Sequence, residues 1–212
     1  MQETLNAAMH SARERLARQN LLACDNASLS VRLPGEQAML FLPAEAHAER
    51  RYEFMSVPAS MRVTALHADI YRLRPDVGAI LVGGGFFAGS LNNFGGALPT
   101  LFDEQARHLG IMRATSSAAG MDLREVLREG GNGLLVDALP ICLGVNCARM
   151  IFNAELLEKC AKAYVLATAA GGSVKPLPWW VRHIANRRLL RDERQAAKRF
   201  ARGLVPEEAR GY

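Results

Sequence analysis

Residues 27 to 43, ASLSVRLPGEQAMLFLP, constrain the fold more than any other stretch of this chain. Leu29, Val31 and Leu33 alternate with Ser28, Ser30 and Arg32, Pro34 to Gln37 turn the backbone, and Ala38 to Pro43 run back. Period-two alternation followed by a short turn predicts an antiparallel hairpin with one face buried. A sheet that begins with a hairpin points away from a doubly wound parallel architecture and toward a mixed or largely antiparallel one.

The remaining segments supply layers for that sheet. Leu5, Ala8, Met9, Ala12 and Leu16 recur at helical spacing, predicting an amphipathic helix over 4–19 with Thr4 as its cap. Over 64–74, TALHADIYRLR sets Leu66, Ile70 and Leu73 on one stripe and stops before Pro75, because the residue preceding proline disfavours helix. DVGAILV then reads as a buried strand that runs into GGGFFAG at 83–89. A turn or strand is expected at 98–102 and a short helical segment around Glu104. DLREVLREGG reads as a helix closed by Gly130 and Gly131, and GLLVDALPICLGV as two buried strand halves broken at Pro140. A long helix is predicted over 148–170, with Ile151, Ala154, Leu157, Ala161, Tyr164 and Leu166 inward and Gly171-Gly172 ending it. KPLPWW is a stiff linker into a basic amphipathic helix over 179–202.

The chain has 212 residues, which suits one substantial core. No apolar run approaches the roughly 20 residues that span a bilayer. The opening MQETLNAAMHSARERLARQN is polar where a signal peptide needs a continuous apolar stretch, which predicts a cytoplasmic location. Cys24, Cys142, Cys147 and Cys160 form no CxxC pair and match no histidine spacing, so reduced thiols are expected rather than a zinc knuckle or a disulfide framework. The net charge of +5 is local: Lys175 to Arg202 holds nine Lys or Arg against Asp192 and Glu193, a balance of +7, leaving about −2 elsewhere. Trp179 and Trp180 stand beside this basic helix, whose role is expected to be packing or subunit contact, with no nucleic-acid or membrane partner.

Candidate chemistry is sparse. The run at 83–89 lacks the GxGxxG spacing and the Lys-Ser or Lys-Thr of a nucleotide loop, leaving a tight turn or an anion nest of bare amides. Glu104 and His108 stand at i and i+4, where they are suited to proton transfer, metal binding or a surface ion pair. His67 falls within a helix, either bonded to backbone or solvent or serving a cleft. Asp137 sits in an apolar stretch and requires a strand end or a partner.

NASLSVRLPG, ALHADIYRLRPDVGAIL, LPTLFDEQARHLG, LLV leading to ICLGV, FNAELLEKCAKAYVLA and LPWWVRHIANRRLL, in that order, resemble the class II aldolase/adducin family over nearly the whole chain. The resemblance implies a three-layer α/β/α sandwich with a largely antiparallel central sheet, usually built into tetramers. It also implies a divalent metal, typically zinc, held by a His-x-His pair at the positions of Val82 and Gly84 and by a third histidine at Ala138 or Leu139. The family's catalytic acidic residue falls at Val63. In the substrate-phosphate region, Ala27-Ser28 replaces a Gly-Asn pair and Ala44-Glu45 a Thr-Gly turn.

These departures predict a class II aldolase-like protein with no metal and no cofactor. It divides into a domain at 1–174 and a basic helical extension at 175–212 that packs on the domain or on a neighbouring subunit. The expected role is a pseudoenzyme that binds a small molecule, or assembles as a homo-oligomer or with an active relative. Ser28, Gly83, Gly84 and Gly85 are its ligand-binding candidates. The alternative is a metal-independent lyase, decarboxylase or dehydratase for a small oxo acid or sugar-derived substrate, using Asp103, Glu104, His108 and His67.

Overall fold

The computed structural model describes residues 2–115, 123–127 and 131–206. In chain order these form α1 (Gln2–Arg18), β1 (Ser28–Arg32), β2 (Ala38–Pro43), β3 (Arg50–Glu53), α2 (Arg62–Leu73), β4 (Ala79–Val82) and α3 (Phe86–Ser90). There follow α4 (Asp103–His108), β5 (Arg113–Thr115), α5 (Leu123–Leu127), β6 (Gly133–Val136), β7 (Leu139–Gly144), α6 (Cys147–Ala169) and α7 (Trp179–Ala201). The strands make one sheet in the order β3-β2-β1-β4-β7-β6-β5, in which only β5 and β6 run parallel.

Two apolar clusters lie on the two faces of this sheet. On one, Leu29, Val31, Leu40, Leu81 and Cys142 meet Met9 and Leu16 of α1 and Met150, Leu157 and Cys160 of α6. On the other, Met39, Ile80, Val82, Ile141 and Leu143 meet Ala68, Ile70 and Tyr71 of α2 and Val126 and Leu127 of α5. The result is a three-layer α/β/α sandwich around a largely antiparallel sheet, as the sequence predicted.

The layering corrects several details. The hairpin is buried on both faces, because α2 covers the side on which Ser28, Ser30 and Arg32 point. The break in the β6-β7 segment falls at Asp137-Ala138 and not at Pro140. Both residues have positive φ, 49° and 65°, forming a two-residue turn, while Pro140 pairs with Leu135 inside β7. Thr4 lies within α1 instead of capping it. Leu166 of α6 is exposed, since the helix overruns the sheet at its C-terminal end. Gly130 lies outside the described residues.

α7 turns Leu189, Glu193, Ala196 and Phe200 inward against its own chain. Glu193 is therefore part of the packed face. No helix among the described residues is long and apolar enough to cross a membrane. Burial pushes the thiols of Cys147 and Cys160 up to about 12, so both are protonated at neutral pH.

Candidate functional site

The candidate residues gather at two opposite ends of the sheet. β4 pairs antiparallel with β7 so that Val82 faces Ile141 and Ala79 faces Gly144. The glycine run thus leaves one end beside the start of β7, whereas Val145 and the loop before β4 lie at the other. Three strand steps, roughly 10 Å, separate these ends.

At the glycine end the backbone is met by its own chain. The Gly83 amide donates to the Pro140 carbonyl at 2.9 Å. A β-carbon on Gly84 would lie 2.9 Å from Pro140 Cβ and 3.2 Å from Ala88 Cβ. Glu158 of α6 accepts hydrogen bonds from the amides of Phe87 and Ala88, each at 2.9 Å, and a β-carbon on Gly85 would overlap that carboxylate. An internal anion therefore occupies the amides that end the glycine run.

Val63, Val82 and Leu139 fall in one apolar cluster with Ile80, Leu134, Ile141 and Leu143, and Val82 is wholly buried. None of these side chains has a donor atom, so the residues at the positions the resemblance gives to metal and acid do not fit a divalent ion. Among the described residues, no three of His, Cys, Asp and Glu stand close enough to hold one. The Ala44 amide donates to the Ala27 carbonyl at 2.8 Å, so the two segments of the phosphate region are adjacent.

The structure brings two sequence candidates together in the core. His67 Nδ1 lies 2.7 Å from Ser30 Oγ and its Nε2 3.2 Å from Ser28 Oγ, while Ser30 Oγ is 2.9 Å from the Tyr71 hydroxyl. The ring is fully buried, and burial pushes its pKa down to about 3. A neutral imidazole, donating from one nitrogen and accepting at the other, satisfies both serines. The pair is sealed from solvent and stands apart from α4.

The other three candidates belong to α4 and diverge. Asp103 Oδ1 accepts from the Glu104 amide at 2.8 Å. Glu104 lies 3.6 Å from Lys159 Nζ on α6. His108 Nδ1 accepts from Arg149 Nη1 at 2.7 Å, with the Phe152 ring edge-on at 4.9 Å. The expected i, i+4 partners thus face different residues. Burial, then the positive charges of Arg149 and Arg107, push His108 down to about 4.

Beside His108 is a buried ionic cluster that sequence reasoning missed. Arg74 donates to both carboxylate oxygens of Asp76, at 2.8 and 2.7 Å, to Glu193 at 2.9 Å, and to the Gly131 carbonyl at 2.9 Å. Burial, with the negative charge of Asp76 adding to it, outweighs the pull of Arg74 and pushes Glu193 up to about 8. The RPD of YRLRPDVGA was the only sequence trace of this cluster. Next to it a cleft of about 270 Å³ opens between α4, the start of α6 and α7.

No protein-family model and no curated protein matches the sequence. Among solved structures, an L-fuculose 1-phosphate aldolase superposes with a TM-score of 0.74 at 18% identity, over 88% of this chain and 96% of that one. The chain has the fold of the class II aldolases. An L-fuculose 1-phosphate aldolase from Glaciozyma antarctica matches this aldolase fold with a TM-score of 0.70 at 14% identity, over 96% of this chain and 92% of that one. An aldolase II superfamily protein from Pseudomonas syringae does so with a TM-score of 0.63 at 15% identity, over 94% and 92%. At such identities the aldolase scaffold is shared, and function has to be argued from the site.

Proposed function

We propose that this aldolase-fold chain has given up the metal-dependent reaction and works as a pseudoenzyme, binding a small molecule or a related active subunit. One observation carries the reading: Val63, Val82 and Leu139 replace acid and metal ligands together, and all three belong to one apolar cluster. A metal-dependent aldol cleavage relies on Lewis-acid stabilisation worth several kcal/mol, and hydrocarbon side chains supply none of it. Pro140 fills the space beside Gly84, which closes the site as well as stripping it. Asp103, Glu104 and His108 turn to separate partners, leaving the metal-independent lyase reading without an assembled acid/base pair.

The family resemblance makes a homo-oligomer the expected assembly, and its surfaces would admit an active relative in place of one copy. The test is the metal content of the purified protein by plasma mass spectrometry, after zinc, manganese, iron and cobalt are offered and excess is removed. No stoichiometric metal, with no cleavage of sugar phosphates, is expected. A metal held in stoichiometric amount would overturn the proposal.

A further inference from the structure

We propose that the outer face of α7 binds single-stranded nucleic acid. Packing accounts only for the inner face of this helix, where Leu189, Glu193, Ala196 and Phe200 are buried against the rest of the chain. On the opposite side Trp180, Ile184, Arg187, Arg191, Arg194 and Lys198 repeat the same i, i+4, i+7 spacing, and all six are exposed. Trp180 and Lys198 stand roughly five helical turns apart, so the row runs along the helix axis for about 27 Å. The inference goes beyond the pseudoenzyme reading and does not depend on it.

Every charge on this row is positive and unpaired. Asp192 and Glu193, the acidic residues of α7, are engaged elsewhere: Asp192 accepts from Arg107 at 2.7 Å and Glu193 from Arg74 at 2.9 Å. Among the described residues, the side chains of Arg187, Arg191, Arg194 and Lys198 have no hydrogen bond and no ion pair. The expectation of no nucleic-acid partner set the two carboxylates against the positive charge, and the structure takes both off the row. Like charges at i, i+3 and i, i+4 repel along a helix, so the stability of α7 does not explain these four cations, whereas an external polyanion does.

The aromatic end of the row selects the kind of polyanion. Trp179 is 72% exposed and Trp180 55%, so two indole rings stand open where the row begins. An open ring is a stacking surface for an unpaired base, while cations about 5–6 Å apart along the ridge follow a phosphate backbone. In a duplex the base faces already cover one another and leave the rings without a partner. A bilayer fits less well, because an interfacial helix inserts its apolar face, and in α7 Leu189, Ala196 and Phe200 of that face pack inward.

The chain has two tryptophans, both at this site, so intrinsic fluorescence reads the face directly. Titration of the full chain with oligouridine and oligothymidine of about 20 nucleotides is expected to quench the emission saturably, and the tighter strand names the sugar. A duplex of equal length should quench far less. Four phosphate contacts predict that log affinity falls with log salt at a slope of about −3, and Arg187→Gln with Arg191→Gln should halve that slope. Trp180→Ala should weaken binding about tenfold, while Arg18→Gln, exposed on α1, should change nothing. Each variant is first checked for native circular dichroism. Absence of saturable quenching overturns the assignment, whether the face then captures phosphatidylserine vesicles or pairs with a second copy in sedimentation velocity. An unchanged salt slope in the folded double variant, a duplex that binds as tightly, or polyglutamate that displaces the strand at equal charge also overturns it. Metal content has no bearing on this titration, so the two proposals fail separately.

Discussion

The carboxylate of Glu158 lies where a β-carbon on Gly85 would stand, and from there it accepts the amides of Phe87 and Ala88. Gly85 is thus a matter of space. Gly85→Ala is expected to displace Glu158 and cost about 1–3 kcal/mol, the usual range for overpacking. Urea unfolding will measure it. The same substitution in a Glu158→Ala background should cost clearly less, because the two positions compete for one volume.

Histidines introduced at the positions where the resemblance implies metal ligands should not make a metal site. Val82→His, Gly84→His and Leu139→His combined would place the new side chain at position 84 against the Pro140 ring, 2.9 Å from its Cβ. Equilibrium dialysis of the folded variant should find no tightly held zinc. Stoichiometric zinc would mean that Pro140 yields more easily than its place in β7 implies.

His67 sets an acid limit on stability. Its folded pKa, about 3, lies below the unfolded value of 6.5, so its contribution is complete above 6.5 and is lost as pH falls toward 3. The loss approaches about 1.4 kcal/mol per pH unit from this residue alone. Urea midpoints measured from pH 7 to 4 should fall more steeply in the wild type than in His67→Gln.

Glu193 acts in the opposite window. Its folded pKa, about 8, lies above the unfolded value of 4.5, so its contribution is full below 4.5 and lost as pH rises through 8. Glu193→Gln should therefore gain stability relative to the wild type as pH rises from 4.5 to about 8. Arg74→Met should cost about 3–5 kcal/mol, because it leaves the Asp76 carboxylate buried without its cation.

Ala138 occupies the left-handed region with φ of 65° at the β6-β7 turn, where its β-carbon is unfavourable by about 1–2 kcal/mol. Ala138→Gly should raise the melting temperature modestly, with a gain of about 0.4–1 kcal/mol. A lowered melting temperature would show that the flexibility glycine adds to the unfolded chain outweighs the relief.

The sequence by itself determined the layers. Period-two alternation at 27–43, helical spacing at 4–19 and 148–170, and Pro75 between helix and strand are local patterns, and local patterns fix element type. It also supplied the resemblance, and with it the residues Val63, Val82 and Gly84 at the positions where the resemblance implies an acid and metal ligands. Tertiary structure alone decided what surrounds these residues. Pro140 beside Gly84, Glu158 at the amides of α3 and His67 between two buried serines are contacts between distant segments, invisible to periodicity. Glu193 makes the same point: on the helix it resembles any solvated charge, and only the docking of α7 brings it to Arg74, where burial reverses its preference for ionisation. Patterns along a chain report which face of an element is apolar, whereas charge and space at a site depend on what another element brings there.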